Sequence, residues 1–513
     1  MNRKLQHQDR FGRLQVGCDR SGRKTCWWVS LFLPLALYAA TAISLQAQNI
    51  TTLHSFDYAD GDFPPAALVQ GTDGNLYGTT LSGGTYDWGT IFKITPGGTL
   101  TTLHSFNYTD GDEPWPLIQA SNGNFYGTTY LGGVNGYGTV FKITPGGILT
   151  TLYNFCSQGG FTCTDGSEPY AGLIQGTDGN FYGTTSFGGL GFGTVFKITP
   201  AGTLTTLYSF CSQAGCPDGD SPQARLVQGT DGSFYGSTVY GGSNATNGGT
   251  VFKITPFGQL TTLYSFCSQT DCADGSQPLE ALIQASDGNF YGVTDGGGGS
   301  TSCTYGCGTV FKITPAGILT TLHAFSSGDG SFPTGLVQGT DGNLYGTTNE
   351  GGTSTACAYG CGVIFSISTS GVFGATVSFE YTDGAFPYHG GLVQDTNGRF
   401  YGTTAGGGAD TSCSFYVSGC GTVFSFAEAG LGPFVKTEPT SGKVGAPVKI
   451  LGTNLTGATS VTFNGIAATI ISNSASLITT TVPTGATTGH VQVTTPHGTL
   501  KSNVVFRVRP SSE

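Results

Sequence analysis

The chain has 513 residues, of which 85 are glycine, 12% are aromatic and only 10% are charged, and its net charge is −11. That acidic balance argues against nucleic acid and anionic membrane surfaces as partners. Abundant glycine and low charge would suit a disordered polymer, but aromatic residues at fixed, recurring positions require a packed fold.

The first 47 residues stand apart. Arg3, Lys4, Arg10, Arg13, Arg20, Arg23 and Lys24 precede a mostly apolar run, Trp27 to Ile43, and then Ser44 to Ala47. This is the layout of a secretory signal peptide with a long basic leader, and cleavage is expected near Ala47. The apolar run lies between signal length and the shortest membrane span, so an uncleaved N-terminal anchor, the chain's sole membrane contact, is the alternative. Cleavage would remove seven basic and two acidic residues and take the net charge from −11 to −16.

Residues 48–428 carry one phrase seven times. Its anchors are Tyr77, Tyr126, Tyr182, Tyr235, Tyr291, Tyr345 and Tyr401, spaced 49, 56, 53, 56, 54 and 56 residues apart. A period near fifty points to a solenoid or a propeller. In the third copy, Gly172–Gly176 is a short apolar run, Asp178-Gly179 a turn, and Phe181–Thr185 a strand. Gly193–Thr199 and Leu204–Phe210 follow. An [Asp/Asn]-Gly pair recurs at Asp73, Asn122, Asp178, Asp231, Asp287, Asp341 and Asn397. Such pairs signal a hairpin, here expected as a type I′ turn with two residues at positive φ. No part of the repeat has helical spacing of apolar residues. The expectation is all-β: a seven-bladed β-propeller of four-stranded blades. The spare strand Ile50–Phe56 is expected to close the ring against the last copy, which stops after Gly421–Phe426 and would otherwise leave bare edges.

One end of such blades collects the short turns and the other the long, varied connections, where function is expected. Asp-Gly-x-x-Pro occurs there in all seven copies, starting at Asp60, Asp110, Asp165, Asp218, Asp274, Asp329 and Asp383. Three copies read Asp-Gly-Asp, making Asp60/Asp62, Asp110/Asp112 and Asp218/Asp220 weak Ca²⁺ candidates, since Ca²⁺ takes six to eight oxygen ligands. The competing reading is turn chemistry, with Asp and Gly shaping a bend and Pro starting the next strand. No other cofactor is expected. The same loops hold twelve cysteines as local pairs: Cys156/Cys163, Cys211/Cys216, Cys267/Cys272, Cys303/Cys307, Cys357/Cys361 and Cys413/Cys420. An even count in an exported chain reads as disulfides, although pairing between neighbouring loops stays open. Metal binding by the Cys-x-x-x-Cys pairs is disfavoured by the varying spacing and the lack of a recurring histidine beside them.

No nucleophile with a base emerges, and no catalytic residue is assigned. His54, His104 and His323 share one register position with Tyr153, Tyr208, Tyr264 and Val377, which reads as packing rather than general base chemistry. His389 is the one propeller histidine outside that register. Glu113, Glu168, Glu280 and Glu350 are scattered loop carboxylates among which spacing selects no pair. Loop aromatics Tyr240, Tyr305, Tyr359, Phe415 and Tyr416 are candidates to stack on sugars or enter a protein partner's pockets, or to pack their own loops.

After a short linker, 429–433, residues 434–509 change register. Val448–Ile450, Ser460–Phe463, Ser476–Ile478, His490–Thr494 and Val504–Val508 read as strands of a small immunoglobulin-like β-sandwich. Pro439–Gly442, Gly445, Ile450–Gly452, Val461–Gly465, Val482-Pro483, Gly489 and Gly498 resemble the IPT/TIG family of immunoglobulin-like domains. That resemblance implies a spacer or a protein- or glycan-contacting module. Only six Lys and Arg follow residue 433, so no nucleic-acid role is implied. The Gly-Thr-Asp-Gly-Asn-Leu/Phe-Tyr-Gly-Thr-Thr and Gly-Thr-Val-Phe-Lys-Ile-Thr-Pro phrases resemble the GloVer tandem-repeat family of bacterial exported proteins. This implies export and association with the cell surface. The expected role is non-catalytic binding or adhesion, secreted or at the cell surface, to a glycan or surface protein. The alternatives are an extracellular carbohydrate-active enzyme using loop carboxylates and a structural surface-layer component.

Overall fold

The computed structural model describes residues 50–509, apart from 66, 159–162, 244–246, 390 and 414–417. The leader 1–47 and the candidates Phe415 and Tyr416 lie outside the described residues. Among the described residues the chain is all-β, with one 3₁₀ turn at Thr270–Cys272 and no helix long and apolar enough to cross a membrane.

Each copy of the repeat builds one antiparallel sheet. In the third, the two-residue strand Ile174–Gln175 pairs with Phe181–Thr185, then Thr194–Ile198, then Leu204–Ser209. Seven such sheets span residues 50–426, six with four strands and one with five. This arrangement is consistent with a propeller.

The hairpins are present but their turn is not type I′. Gly74 has φ +82°, as its equivalents do, whereas Asp73 and its equivalents are not at positive φ. Gly74 N–H donates to the Gly71 carbonyl at 3.0 Å and Gly71 N–H to the Asn75 carbonyl at 2.8 Å. That pattern is a type I turn followed by a glycine bulge. The anchoring tyrosine explains the choice. Tyr77 Oη donates to Asp73 Oδ2 at 2.8 Å while Asp73 Oδ1 accepts from Asn75 N–H, pinning the aspartate.

The same tyrosines build the layer between sheets. Tyr77, Tyr126, Tyr182 and Tyr235 lie against Phe125, Phe181, Phe234 and Phe290 of the next copy, with ring centroids 4.0 to 4.1 Å apart. All eight rings are buried, and each contributes roughly 1.5–3 kcal/mol of hydrophobic stabilisation. The glycine after each tyrosine makes room: a Cβ on Gly183 would lie 2.6 Å from Phe196 Cζ.

A second contact joins sheets at the turn end. The Oε1 atoms of Gln119, Gln175, Gln228, Gln284, Gln338 and Gln394 accept turn N–H groups of the preceding copy at 2.8 to 3.1 Å. The series closes on itself. Ile50–Ser55 pairs with Thr422–Phe426, as expected from the sequence, and Gln70 Nε2 donates to Thr396 Oγ1 at 2.9 Å. Tyr401 and Val423 of the seventh copy share a core with Leu68, Leu76 and Phe92 of the first.

Residues from Val435 onward form two four-stranded sheets and a parallel pair, Ser441–Lys443 with Arg507–Arg509. Val435, Val448 and Ile450 from one sheet meet Val461, Phe463, Val491 and Val493 from the other around Phe506. This second unit rests on the turn end of the ring. Ser476 Oγ donates to the Thr72 carbonyl, Lys449 Nζ to that of Ser121, Arg507 Nη1 to that of Thr230, and Thr453 Oγ1 lies 3.0 Å from Thr396 Oγ1. Copies one, two, four and seven are all touched at their turn ends.

Candidate functional site

The Asp-Gly-x-x-Pro segment turns the chain inward at the loop end, and it does so identically in every copy. Its fourth residue (Phe63, Glu113, Glu168, Ser221, Gln277, Phe332 and Phe386) has φ between 53° and 57°. This left-handed conformation costs about 1 kcal/mol or more outside glycine and persists only where surroundings enforce it. In six copies they do: its N–H donates to a carbonyl one copy back, at Cys420, Tyr137, Phe192, Gly248, Cys307 and Cys361.

The motif aspartate is spent on the scaffold. His54, His104 and His323 Nε2, and Tyr153, Tyr208 and Tyr264 Oη, lie 2.6 to 3.0 Å from the carboxylates of Asp60, Asp110, Asp329, Asp165, Asp218 and Asp274. The register position read as packing is therefore a hydrogen-bonding position in six copies, and only Val377 packs without one. Of the calcium candidates, Asp60 and Asp110 face these histidines, and Asp218 faces Tyr208 and Ser212. Asp62 accepts from Ser82 Oγ, Asp112 is buried, and Asp220 accepts from Ser221. Burial pushes Asp62 up to about 6 and Asp112 up to about 7. Among the described residues, the grouping of Asp62 with Cys413 and Cys420 has both sulfurs tied in a disulfide.

All six cysteine pairs are disulfides within their own loops: Cys156–Cys163, Cys211–Cys216, Cys267–Cys272, Cys303–Cys307, Cys357–Cys361 and Cys413–Cys420. Pairing between neighbouring loops, which the sequence left open, is thereby replaced by the local pattern in every case. Cys216 illustrates the geometry. Its backbone sits at φ +48°, and its carbonyl accepts from Gly219 N–H at 3.0 Å and Gly242 N–H at 2.9 Å. The loop so folded brings its Cα to 4.1 Å from that of Cys211. Cys216 is only half-buried, so this bridge staples a surface loop and fills no core.

The cysteines divide the loop end unequally. The residue before the Gly that opens the third strand is Trp88, Tyr137 and Phe192 in copies one to three, Gly248 in the fourth, and Cys307, Cys361 and Cys420 in the last three. The cysteines there are fully buried, whereas Trp88, Tyr137 and Phe192 are about 40% exposed. Tyr86, Tyr108, Phe187 and the predicted Tyr240 are exposed beside them, and Trp88 lies 5.1 Å from Tyr108. Tyr305 and Tyr359, also predicted, stand out from the disulfide loops of copies five and six. Sequence reasoning missed the aromatic half. Aligning the seven copies position by position would have found it.

Toward the middle of the ring, positions that differ between copies meet. Trp115 packs on Tyr170 at 4.2 Å, with Phe63, Tyr130 and Tyr388 in the same cluster. His389 sits where the seventh copy is longest between its motif Asp and its Gln, with φ +49°. Its Nδ1 lies 2.5 Å from Glu280 Oε1, and its ring is edge-on to Trp115, Tyr170 and Tyr388. Glu280, His389, Asp295, Asn349, Thr334 and Tyr388 line a cavity of about 30 Å³, together with Leu279 and Pro333. Burial pushes Asp295 up to about 6, His389 draws it down, and Glu280 and Glu350 push it up. Burial likewise raises Glu113 and Glu350, while Glu168 accepts from Tyr130 Oη at 2.8 Å. Of the four loop glutamates that spacing did not select, Glu280 lines the cavity, where it meets His389 and Asp295, a carboxylate the sequence reading did not single out.

The Gloeobacter/Verrucomicrobia repeat model matches residues 39–246, 157–356 and 249–470. The chain belongs to this repeat family. Its C-terminal unit is an IPT/TIG domain, matched over residues 435–508. No curated protein matches this member of the repeat family in sequence. Among solved structures, a fungal alcohol oxidase of the AA5 family, in complex with copper, is 14% identical. It covers 90% of this chain and 99% of its own, with a TM-score of 0.51. A luciferin-regenerating enzyme is 13% identical, over 75% of this chain and 97% of its own, with a TM-score of 0.39. At such identity the first likeness speaks for the fold alone and the second carries no argument.

Proposed function

We propose that this repeat-family protein is an exported seven-bladed β-propeller, followed by an immunoglobulin-like sandwich, that binds glycans at or outside the cell surface without turning them over. The observation that carries this is the aromatic half of the loop end. Three equivalent positions hold exposed Trp88, Tyr137 and Phe192 on a scaffold whose last three copies bury a cysteine there. Exposed aromatics at equivalent positions of successive copies offer a surface for a ligand, and flat rings suit the apolar faces of sugars. Six disulfides fit an oxidising compartment outside the cell.

The test is a glycan array probed with residues 48–513, with and without Ca²⁺, beside a Trp88→Ala/Tyr137→Ala/Phe192→Ala variant. Selective binding lost in the variant supports the proposal, and loss on chelation assigns Ca²⁺ to the Asp-Gly-Asp loops. A blank array turns the search to a surface-protein partner or self-assembly.

A second reading, a carbohydrate-active enzyme, draws on Glu280 and Asp295 lining one cavity. Two carboxyl groups in different environments are what glycoside hydrolysis uses. Release of reducing ends from a bound glycan, abolished in Glu280→Gln, would favour it.

A further inference from the structure

Acceptors are prominent in the polar lining of the cavity beside His389. Asn349 Oδ1 is buried with no donor, and neither Asp295 nor Glu280 Oε2 receives a hydrogen bond among the described residues. An unpaired buried acceptor is expensive, and Asn349 Oδ1 is one; beside it the half-buried Asp295 and Glu280 Oε2 also lack a donor, and together they ask for a guest rich in donors. The charged groups that act on Asp295 are His389, Glu280 and Glu350, so carboxylates outnumber the imidazole, whose Nδ1 is already taken by Glu280. Tyr388 lines the same space and Tyr170 and Trp115 stand behind His389, presenting the electron-rich rings that cations favour. About 30 Å³ holds one or two water-sized groups, which matches an ammonium group and not a sugar ring.

We propose that this cavity is a subsite for a protonated primary amine, taken between Asp295, Asn349 Oδ1 and Glu280 Oε2, and that the glycan bound at the loop end is an amino sugar with a free amine. The second half rests on the glycan reading above. The first half does not. A neutral acetamido group brings one donor and a methyl group to a pocket of acceptors, so the subsite discriminates against the N-acetylated form.

The test is calorimetric titration of residues 48–513 with three tetramers of equal length: glucosamine, N-acetylglucosamine and glucose. Methylammonium and Ca²⁺ are titrated alone in parallel. The glucosamine tetramer is expected to bind at least tenfold more tightly than the other two. Asp295→Asn should abolish that preference while melting no lower than the parent, because it removes a half-buried carboxylate that has no hydrogen-bond donor. Glu280→Gln should weaken the preference without abolishing it. Equal or tighter binding of the acetylated or neutral tetramer overturns the amine subsite and leaves the glycan reading standing. Methylammonium binding that depends on Asp295, with no tetramer bound, keeps the amine subsite and overturns the glycan reading. If Ca²⁺ rather than methylammonium binds in an Asp295-dependent way, the cavity is a metal site and the inference fails. Silence from every probe overturns both.

Discussion

Lys436 Nζ donates to Gln70 Oε1 at 3.3 Å, at the one seam of the ring where the usual clasp is missing. In the other six clasps that glutamine oxygen accepts a turn N–H of the preceding copy. At the seam Gln70 keeps the Nε2 bond to a threonine hydroxyl that four other clasps also make, here to Thr396 Oγ1 at 2.9 Å, and the first strand of the C-terminal unit supplies the donor to its oxygen. Lys436 also donates to the Gln394 carbonyl, and Phe434 N–H donates to that of Thr396. Desolvation pulls Lys436 below the ordinary lysine range, with Asp395 and Glu438 opposing. The C-terminal unit is thus part of the closure of the ring.

Lys436→Met keeps the stem and removes the donor, stranding Gln70 Oε1, the Gln394 carbonyl and Asp395. The expected cost is about 1–3 kcal/mol. Urea unfolding should show a lower midpoint, and an unchanged midpoint would refute a structural role for this lysine.

The repeat has already tested its own core. Where five copies set Phe against the preceding tyrosine, Leu76 and Leu344 occupy the same position against Tyr401 and Tyr291. Phe234→Leu is therefore expected to cost less than about 1.5 kcal/mol, and Phe234→Ala about 3–5 kcal/mol. Equal costs in thermal melts would show that the stacked ring of Tyr182 and Phe234, rather than filled volume, holds the sheets together.

Cys357 and Cys361 close a loop of about five residues, which the chain-entropy model values at about 2 kcal/mol. The Cys357→Ala/Cys361→Ala pair should lose that much under non-reducing conditions. Under reducing conditions the difference from the parent should vanish. A difference that persists there would assign the loss to packing.

Burial holds Asp112 at about 7 and Asp62 at about 6, against an unfolded value of about 3.9. Between pH 4 and 7 the folded chain keeps protons that the unfolded chain has lost. These two groups therefore contribute stability that declines as pH rises through the window. Asp112→Asn cannot ionise, so its advantage over the parent should be small at pH 4 and grow to roughly 4 kcal/mol by pH 8. Calorimetry at pH 4, 6 and 8 decides it, and an advantage that fails to grow would place the Asp112 carboxyl in water.

Much of the fold was legible because the repeat prints it seven times. The strands and the Asp-Gly hairpins follow from short-range pattern, the partner of Ile50–Ser55 follows from comparing the first and last copies, and the cysteines were legible as local pairs although pairing between neighbouring loops stayed open. The turn type did not, because the Tyr77–Asp73 bond that selects it is a side-chain contact four residues apart. Nor did the role of His54, His104 and His323. A position that tolerates His, Tyr and Val looks like packing until Asp60, Asp110 and Asp329 are seen opposite. The site was the least legible part: Glu280 and His389 are 109 residues apart, in loops that share no motif.

The sequence alone determined what periodicity and turn chemistry can specify: all-β sheets, their number and order, and the strand that closes the series. Backbone hydrogen bonding and alternation of apolar residues act over a few residues, so they can be read from a few residues. Only the tertiary structure decided which divergent positions converge. Closing the ring brings the variable residues of copies two, three, five, six and seven to one place, and there burial, not spacing, sets the chemistry of Glu280, Asp295 and His389.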